Sequence, residues 1–181
     1  MKHTIWLLLT GIVFCFARCE KEEPIDGNST NIPGLPPATQ TGANKLGFLL
    51  NGVPWVPEGN NGTPNLNIRL DTGVNNRRFL IHAYRLLPQN YTEFQISFPA
   101  NILELFPVIT NPFLFGFVSF KDQVNCRRST NDVSNYSSTN ISISKNDKSN
   151  RIVSGIFECT LFNPACPDTI KITQGRFDMR Y

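Results

Sequence analysis

Short segments in which apolar and polar residues alternate recur through most of the chain. The apolar residues of segment 66–70 lie at every second position, and the same period of two recurs in segments 78–85 and 93–98. Successive side chains of a β-strand point to opposite faces, so this period indicates strands that bury one face. Turn-forming residues at 71–73 and 88–90 separate the segments. The pattern predicts an all-β antiparallel fold, because no crossover helix that would build a parallel sheet is apparent.

The spacing of the predicted strands is typical of a single antiparallel β-sandwich or an open meander barrel. The first two flank Asn51-Gly52, the dipeptide that most favours a two-residue hairpin turn. The 14 phenylalanines and the frequent Ile and Thr suit half-buried strands. The predicted strands are 46–50, 53–56, 66–70, 78–85, 93–98, 113–120, 140–144, 152–162 and 169–181.

The last predicted strand divides its side chains between two faces. Phe177 and Met179 share one face, which we expect to close the core, because a chain end frays unless it is buried. Arg176 and Asp178 share the other face, which we expect to be solvated, with the two charges forming a surface ion pair.

The N-terminus has the pattern of a secretion signal. Lys2 precedes the apolar run 5–17, which is too short for a bilayer that takes about 20 residues to span. We expect residues 1–18 to direct export and to be removed. Residues 19–44 are then the lipid-anchor cysteine with a flexible, disordered linker rich in Pro, Gly, Asn and Thr, and residues 45–181 are the β-sandwich domain.

Cys19, directly after the apolar run, resembles the acylated cysteine of a bacterial lipoprotein. Cys19-Glu-Lys-Glu-Glu23 is similar to the export signal of surface-exposed Bacteroidetes-type lipoproteins. The resemblance implies an outer-membrane lipoprotein of the cell envelope, partnered with the membrane through its acyl anchor and facing outside or the periplasm. The alternative is ordinary cleavage near Ala17, which would leave Cys19 as a free thiol.

Two further stretches carry a resemblance to a family. The first is 35–57, Leu-Pro-Pro-Ala-Thr-Gln-Thr-Gly-Ala-Asn-Lys-Leu-Gly-Phe-Leu-Leu-Asn-Gly-Val-Pro-Trp-Val-Pro, and the second is 152–162 together with Ile-Thr-Gln-Gly-Arg-Phe-Asp-Met-Arg-Tyr at 172–181. They resemble Bacteroidetes-type exported lipoproteins of unknown function. The resemblance implies a single exported β domain, and it supplies no substrate, catalytic residue or cofactor.

The cysteines beyond the signal allow one disulfide in an oxidising compartment. Cys159 alternates with Phe157 and Leu161, which places it on the apolar side of a strand. We therefore predict a Cys126–Cys166 disulfide and a buried free Cys159. The alternative is a Cys159–Cys166 bridge that would close a hairpin.

Neither a catalytic motif nor a metal motif stands out. His82 is the only histidine beyond the signal, and it shares a strand face with Leu80 and Tyr84, which favours a half-buried structural role. The chain has no C-x-x-C, and it has no nucleophile motif. The chain has 17 basic and 14 acidic residues, but two of the basic residues, Lys2 and Arg18, belong to the signal. The remaining chain is nearly neutral, so no strong positive field would attract nucleic acid. We expect a protein that is not an enzyme and has neither cofactor nor metal.

Aromatic residues are the candidates for ligand contact. Trp55, Phe113, Phe115 and Phe117 belong either to the core or to a wall that contacts a glycan or protein ligand. We expect an exported cell-envelope lipoprotein that acts as a non-enzymatic binding or structural module. The alternative is a carboxylate-based glycan hydrolase of the cell surface, which needs two acids about 5–9.5 Å apart in a cleft.

Overall fold

The computed structural model describes residues 31–72, 77–100, 114–121, 124–130, 137–166 and 168–181. The regular structure of these ranges consists of ten β-strands. The strands are β1 (Lys45–Leu50), β2 (Val53–Trp55), β3 (Leu66–Asp71), β4 (Arg78–Leu87), β5 (Asn90–Pro99), β6 (Leu114–Lys121), β7 (Val124–Ser129), β8 (Ser137–Asp147), β9 (Ile152–Leu161) and β10 (Ile170–Arg180).

The strands form two five-stranded antiparallel sheets that pack face to face. Sheet A has the order β2-β1-β10-β9-β8, and sheet B has the order β3-β4-β5-β6-β7. The apolar positions of both sheets meet in one core. The predicted all-β fold is confirmed, and of the two predicted arrangements it is the sandwich. The last strand, β10, lies in the middle of sheet A between β1 and β9, and its Phe177 and Met179 are buried in the core as expected.

Aromatic rings join the two sheets in the core. Phe48 of sheet A stacks on Trp55, with ring centroids 4.6 Å apart, and lies 4.6 Å from Phe94 of sheet B. Trp55 Nε1 donates a hydrogen bond of 2.9 Å to Thr92 Oγ1 of sheet B. This bond satisfies the indole N–H, which would otherwise be a buried donor without a partner.

The predicted hairpin turn at Asn51-Gly52 is confirmed. Both residues have positive φ, 50° and 85°, as a tight turn between twisted strands requires. Asn51 is also tied to the neighbouring strand: its backbone N–H donates to the carbonyl of Lys171 (2.8 Å), and its Oδ1 accepts from the N–H of Lys171 (2.7 Å).

The folded unit begins before residue 45. The sequence predicted a flexible linker up to residue 44, but residues 34–44, which we name the strap, pack across the outer face of sheet A. Leu35 is buried, and Pro36 lies so close to Gly47 of β1 that a Cβ there would meet its ring at 2.6 Å. Lys145 Nζ donates to the carbonyl of Gln40 (2.9 Å), and Asn44 Oδ1 accepts from the backbone N–H of Arg180 (2.9 Å).

The predicted disulfide between Cys126 and Cys166 is confirmed, with Cα atoms 5.8 Å apart. Cys126 lies in β7, which is not among the strands predicted from the sequence. Cys166 lies in the connection between β9 and β10, so the bond joins sheet B to sheet A. Cys159 is a buried free cysteine, as predicted, and burial raises the pKa of its thiol.

An ion pair accompanies the disulfide. The guanidinium of Arg128 on β7 is buried and donates to both the carboxylate and the carbonyl oxygen of Asp168. Asn163 Nδ2 also donates to the carbonyl of Arg127 (2.7 Å). The edge strand of sheet B is therefore bonded to the β9–β10 connection at several points.

Replacing both Cys126 and Cys166 with alanine should destabilise the domain by about 4 kcal/mol, because the bond closes a loop with a sequence separation of 40. Urea unfolding of the double variant and of the wild type measures this. Reduction of the disulfide in the wild type should shift its urea midpoint to that of the double variant. If neither reduction nor the double substitution changes the midpoint, the disulfide does not stabilise the domain.

Candidate functional site: a polar groove on the outer face of sheet A

A single carboxylate, that of Asp178 on β10, fixes the strap to sheet A. Asp178 lies on the outer face of the sheet, and both of its oxygens accept hydrogen bonds. The donors are Thr39 Oγ1 (2.7 Å), Thr41 N (3.0 Å), Thr41 Oγ1 (3.3 Å), Gly42 N (2.8 Å), Ala43 N (3.1 Å) and Ser154 Oγ (2.7 Å). Apart from Ser154 on β9, all of these donors belong to the strap.

These bonds keep Asp178 ionised although it is only 2% exposed. Burial by itself would raise the pKa of Asp178, but the hydrogen bonds from Ser154, Thr39 and the strap amides outweigh it and hold the pKa well below its usual range. The expectation of a solvated face with a surface ion pair is wrong, because the strap covers Asp178 and Arg176 is also buried. Arg176 Nε donates to the carbonyl of Gln174 (3.2 Å).

A groove lies beside the strap on the outer face of β8, β9 and β10. Its first part is a depression of about 200 Å³, and a second depression of about 240 Å³ shares Asn140 and Glu158 with it and continues to Lys171. The side chains that define the first part are Ala38, Asn140, Ser142, Ile156, Glu158 and Arg176. Ala38 belongs to the strap, so one wall of the groove is made by a segment outside the sheet.

A β-bulge in β10 forms the floor of the groove. The register of β10 against β9 shifts between Ile172 and Gly175, and Gln174 has a positive φ of 54°. A Cβ on Gly175 would lie 2.5 Å from the ring of Phe157, so this position requires glycine. The bulge breaks the regular alternation just before Arg176, and both Gln174 and Arg176 line the groove.

The groove is lined by groups that donate and accept hydrogen bonds. The amides of Asn140 and Gln174 do both, Ser142 adds a hydroxyl, and Glu158 and Arg176 carry opposite charges. Pockets that enclose a drug-sized ligand measure about 300–1,000 Å³, so neither depression can enclose one. The geometry suits a polar ligand that lies extended across both.

Two of the four candidate ligand-contact aromatics, Trp55 and Phe117, do not line this groove. Of the two alternatives that the sequence left open, core or ligand-contacting wall, Trp55 and Phe117 belong to the core, where both are buried. Phe115 lies opposite Ile96 in the register of β6 with β5, and its side chain falls outside the described part of the structure, as does the whole of Phe113.

His82 is half-buried, as the sequence predicted. Its side chain is 29% exposed on the outer face of sheet B, and its Nε2 lies 2.9 Å from Glu93 Oε1. Tyr91 donates its hydroxyl to the other oxygen of Glu93 (3.2 Å), and burial, together with this carboxylate, raises the pKa of Tyr91 to about 12. Within the described ranges, no three His, Cys, Asp or Glu residues are grouped as a metal site would need.

Comparisons with protein-family models, with curated proteins and with solved structures gave no match. The resemblance to exported Bacteroidetes-type lipoproteins therefore stays a prediction. Cys19 and the signal lie outside the described residues, and the part of the chain that is described contains no helix long and apolar enough to cross a membrane.

The sequence analysis missed the groove residues, although a signal for some of them was present. In segments 140–144 and 152–162, alternation indicates that Asn140, Ser142 and Glu158 lie on the face opposite the core. It does not show that these positions become neighbours across β8 and β9, which the pairing of Asn140 with Glu158 and of Ser142 with Ile156 establishes.

Asp178→Asn should lower the free energy of unfolding by about 2–4 kcal/mol at pH 7, because an amide cannot replace the charge that the strap donors stabilise. A carboxylate with a lowered pKa stabilises the fold above the pKa of the unfolded state, about 3.9, and this contribution is lost as the pH falls toward the folded-state pKa. Urea unfolding at several pH values should therefore show that the free energies of unfolding of the variant and the wild type differ less below about pH 4 than at pH 7.

Asp71→Asn is the matched control for this measurement, since Asp71 is exposed on the edge strand β3. It should change stability by less than about 1 kcal/mol. An equal effect of the two substitutions at pH 7 would contradict a special role for Asp178.

Proposed function

We propose that this protein is an exported module of the cell envelope that binds a polar ligand in the groove on sheet A and performs no chemistry. In this proposal an acyl chain on Cys19 holds the protein at the outer membrane. The observation that carries the binding role is the groove itself: a sheet face with alternating polar side chains, bounded by a strap that a buried carboxylate fixes.

The ligand class that fits best is a glycan chain. Sugar hydroxyls both donate and accept, and the amides of Asn140 and Gln174 match them in both roles. Ile156, which is 43% exposed, offers an apolar contact for the C–H face of a sugar ring. Two basic side chains, Arg176 and Lys171, and one acidic side chain, Glu158, leave the groove with only a small net positive charge. Such a weak field does not favour a highly charged polymer. A protein ligand is an outcome that the experiment below must distinguish.

No observation favours the hydrolase alternative. A glycosidase needs a second carboxyl group about 5–9.5 Å from the first. Among the described residues that line the two depressions, Glu158 is the sole acid.

Glycan binding can be tested with the chain from residue 20 onward, on arrays that carry envelope and dietary polysaccharides and, separately, peptides. We expect Asn140→Ala and Glu158→Ala each to weaken binding about tenfold, because each removes a hydrogen bond of roughly 1.4 kcal/mol. Both residues are exposed, so neither substitution should affect folding.

Gln95→Ala is the control, since it removes an amide on the outer face of sheet B. It should leave the affinity unchanged. Binding of peptides alone would contradict the glycan assignment, and equal weakening by the control would contradict the location of the site.

Cys19→Ala should release the protein from membranes, because acylation at Cys19 would supply the anchor. Membrane fractionation and the mass of the N-terminal peptide measure this. A variant that still fractionates with membranes, or a wild-type peptide without an acyl mass, would show that the anchor is not at Cys19. The glycan measurement does not depend on this result.

A further inference from the structure

The strap has few polar ties to the sheet, and most of them converge on one residue. Lys145 holds the carbonyl of Gln40, and Asn44 is bonded to the backbone of Arg180. Thr39, directly before Gln40, and Thr41, Gly42 and Ala43, between Gln40 and Asn44, all donate to Asp178. The middle of the strap is thus held chiefly by one carboxylate.

Asp178 does not line the groove, but it lies between the strap and the groove residues. Ala38, which forms part of the groove wall, directly precedes Thr39, which donates to Asp178. Arg176, which also lines the groove, lies two residues before Asp178 on the same face of β10. A change in the position of residues 39–43 must therefore be transmitted to the wall at Ala38.

We propose that Asp178 is a positioning residue for the groove, and that docking of the strap and binding of the ligand are coupled. This inference rests on the proposed function, because it concerns the same groove. A ligand that contacts the wall at Ala38 stabilises the docked position of the strap. By reciprocity, a substitution that lowers the fraction of molecules with a docked strap lowers the apparent affinity for the ligand in the same proportion.

The hydrogen bonds of Asp178 offer a matched pair of variants. Thr39→Ala removes a donor from the strap, and Ser154→Ala removes a donor at the same distance, 2.7 Å, from the sheet. Both variants weaken the environment of Asp178, but only Thr39→Ala removes a bond between the strap and the sheet. A purely structural role of Asp178 would make the two variants behave alike.

The first measurement is hydrogen exchange of the amides of Thr41, Gly42 and Ala43, which needs no ligand. We expect exchange to be about tenfold faster in Thr39→Ala than in the wild type, since a charge-assisted hydrogen bond is lost. Ser154→Ala should leave these amides protected. Equal protection in Thr39→Ala and the wild type would show that the bond from Thr39 to Asp178 does not control docking of the strap, and would overturn the inference.

The second measurement is the affinity of each variant for the glycan that the wild type binds on the array. Thr39→Ala should bind about three- to tenfold more weakly than Ser154→Ala, and the glycan should slow exchange of the strap amides in the wild type. Wild-type binding with equal affinities in both variants would overturn the coupling while the proposed function stands. Absence of any glycan binding by the wild type would overturn the proposed function, and with it the coupling, even if exchange shows that Asp178 holds the strap.

Discussion

A charge buried in a protein must be surrounded by hydrogen-bond donors, and Asp178 imposes this requirement on the chain. An ionised carboxylate taken out of water without partners is destabilising by several kcal/mol. Sheet A supplies Ser154, and the strap supplies the remaining donors. Gly42, with a φ of 74°, lets consecutive amides converge on one anion. The strap and the last strand, 135 residues apart in sequence at Ala43 and Asp178, therefore form one unit.

This requirement gives a physical reason for the motifs on which the family resemblance rests. The first stretch, 35–57, contains all but the first residue of the strap, the Asn51-Gly52 turn and Trp55, and the second contains β9 and most of β10. In the structure the two stretches are in contact: the strap amides meet Asp178, and β1 pairs with β10. A Thr-Gln-Thr-Gly-Ala segment and an Arg-Phe-Asp segment are needed together, because each satisfies the polar groups of the other. That reason holds whether or not the family assignment is correct.

The sequence predicted the elements whose signal is local. The alternation of apolar and polar residues predicted most of the strands. It also predicted that Cys159 lies in the core, so that the disulfide joins Cys126 and Cys166. It failed at β7, where the inward positions are held by Cys126 and Arg128. A buried guanidinium there depends on Asp168, forty residues away, and no local pattern shows such a partner. The strap was assigned to the linker for the same reason: its Pro, Gly and Thr residues resemble a disordered segment until Asp178 is placed beneath them.

The groove also depends on departures from regular strand geometry. The outer face of a regular sheet is nearly flat, so a binding site on it needs walls that the strands themselves do not supply. Here the strap supplies a wall at Ala38, and the bulge at Gln174 and Gly175 reshapes the floor. Three departures from regular strand geometry lie close together beside the groove: the charge of Asp178 is buried, Gln174 has positive φ, and β10 shifts its register against β9. Such departures destabilise a fold and are expected mainly where function requires them. Around His82 and Glu93, β4 and β5 of sheet B pair without a shift of register. The departures that meet at the groove therefore support the proposal that the ligand binds on sheet A.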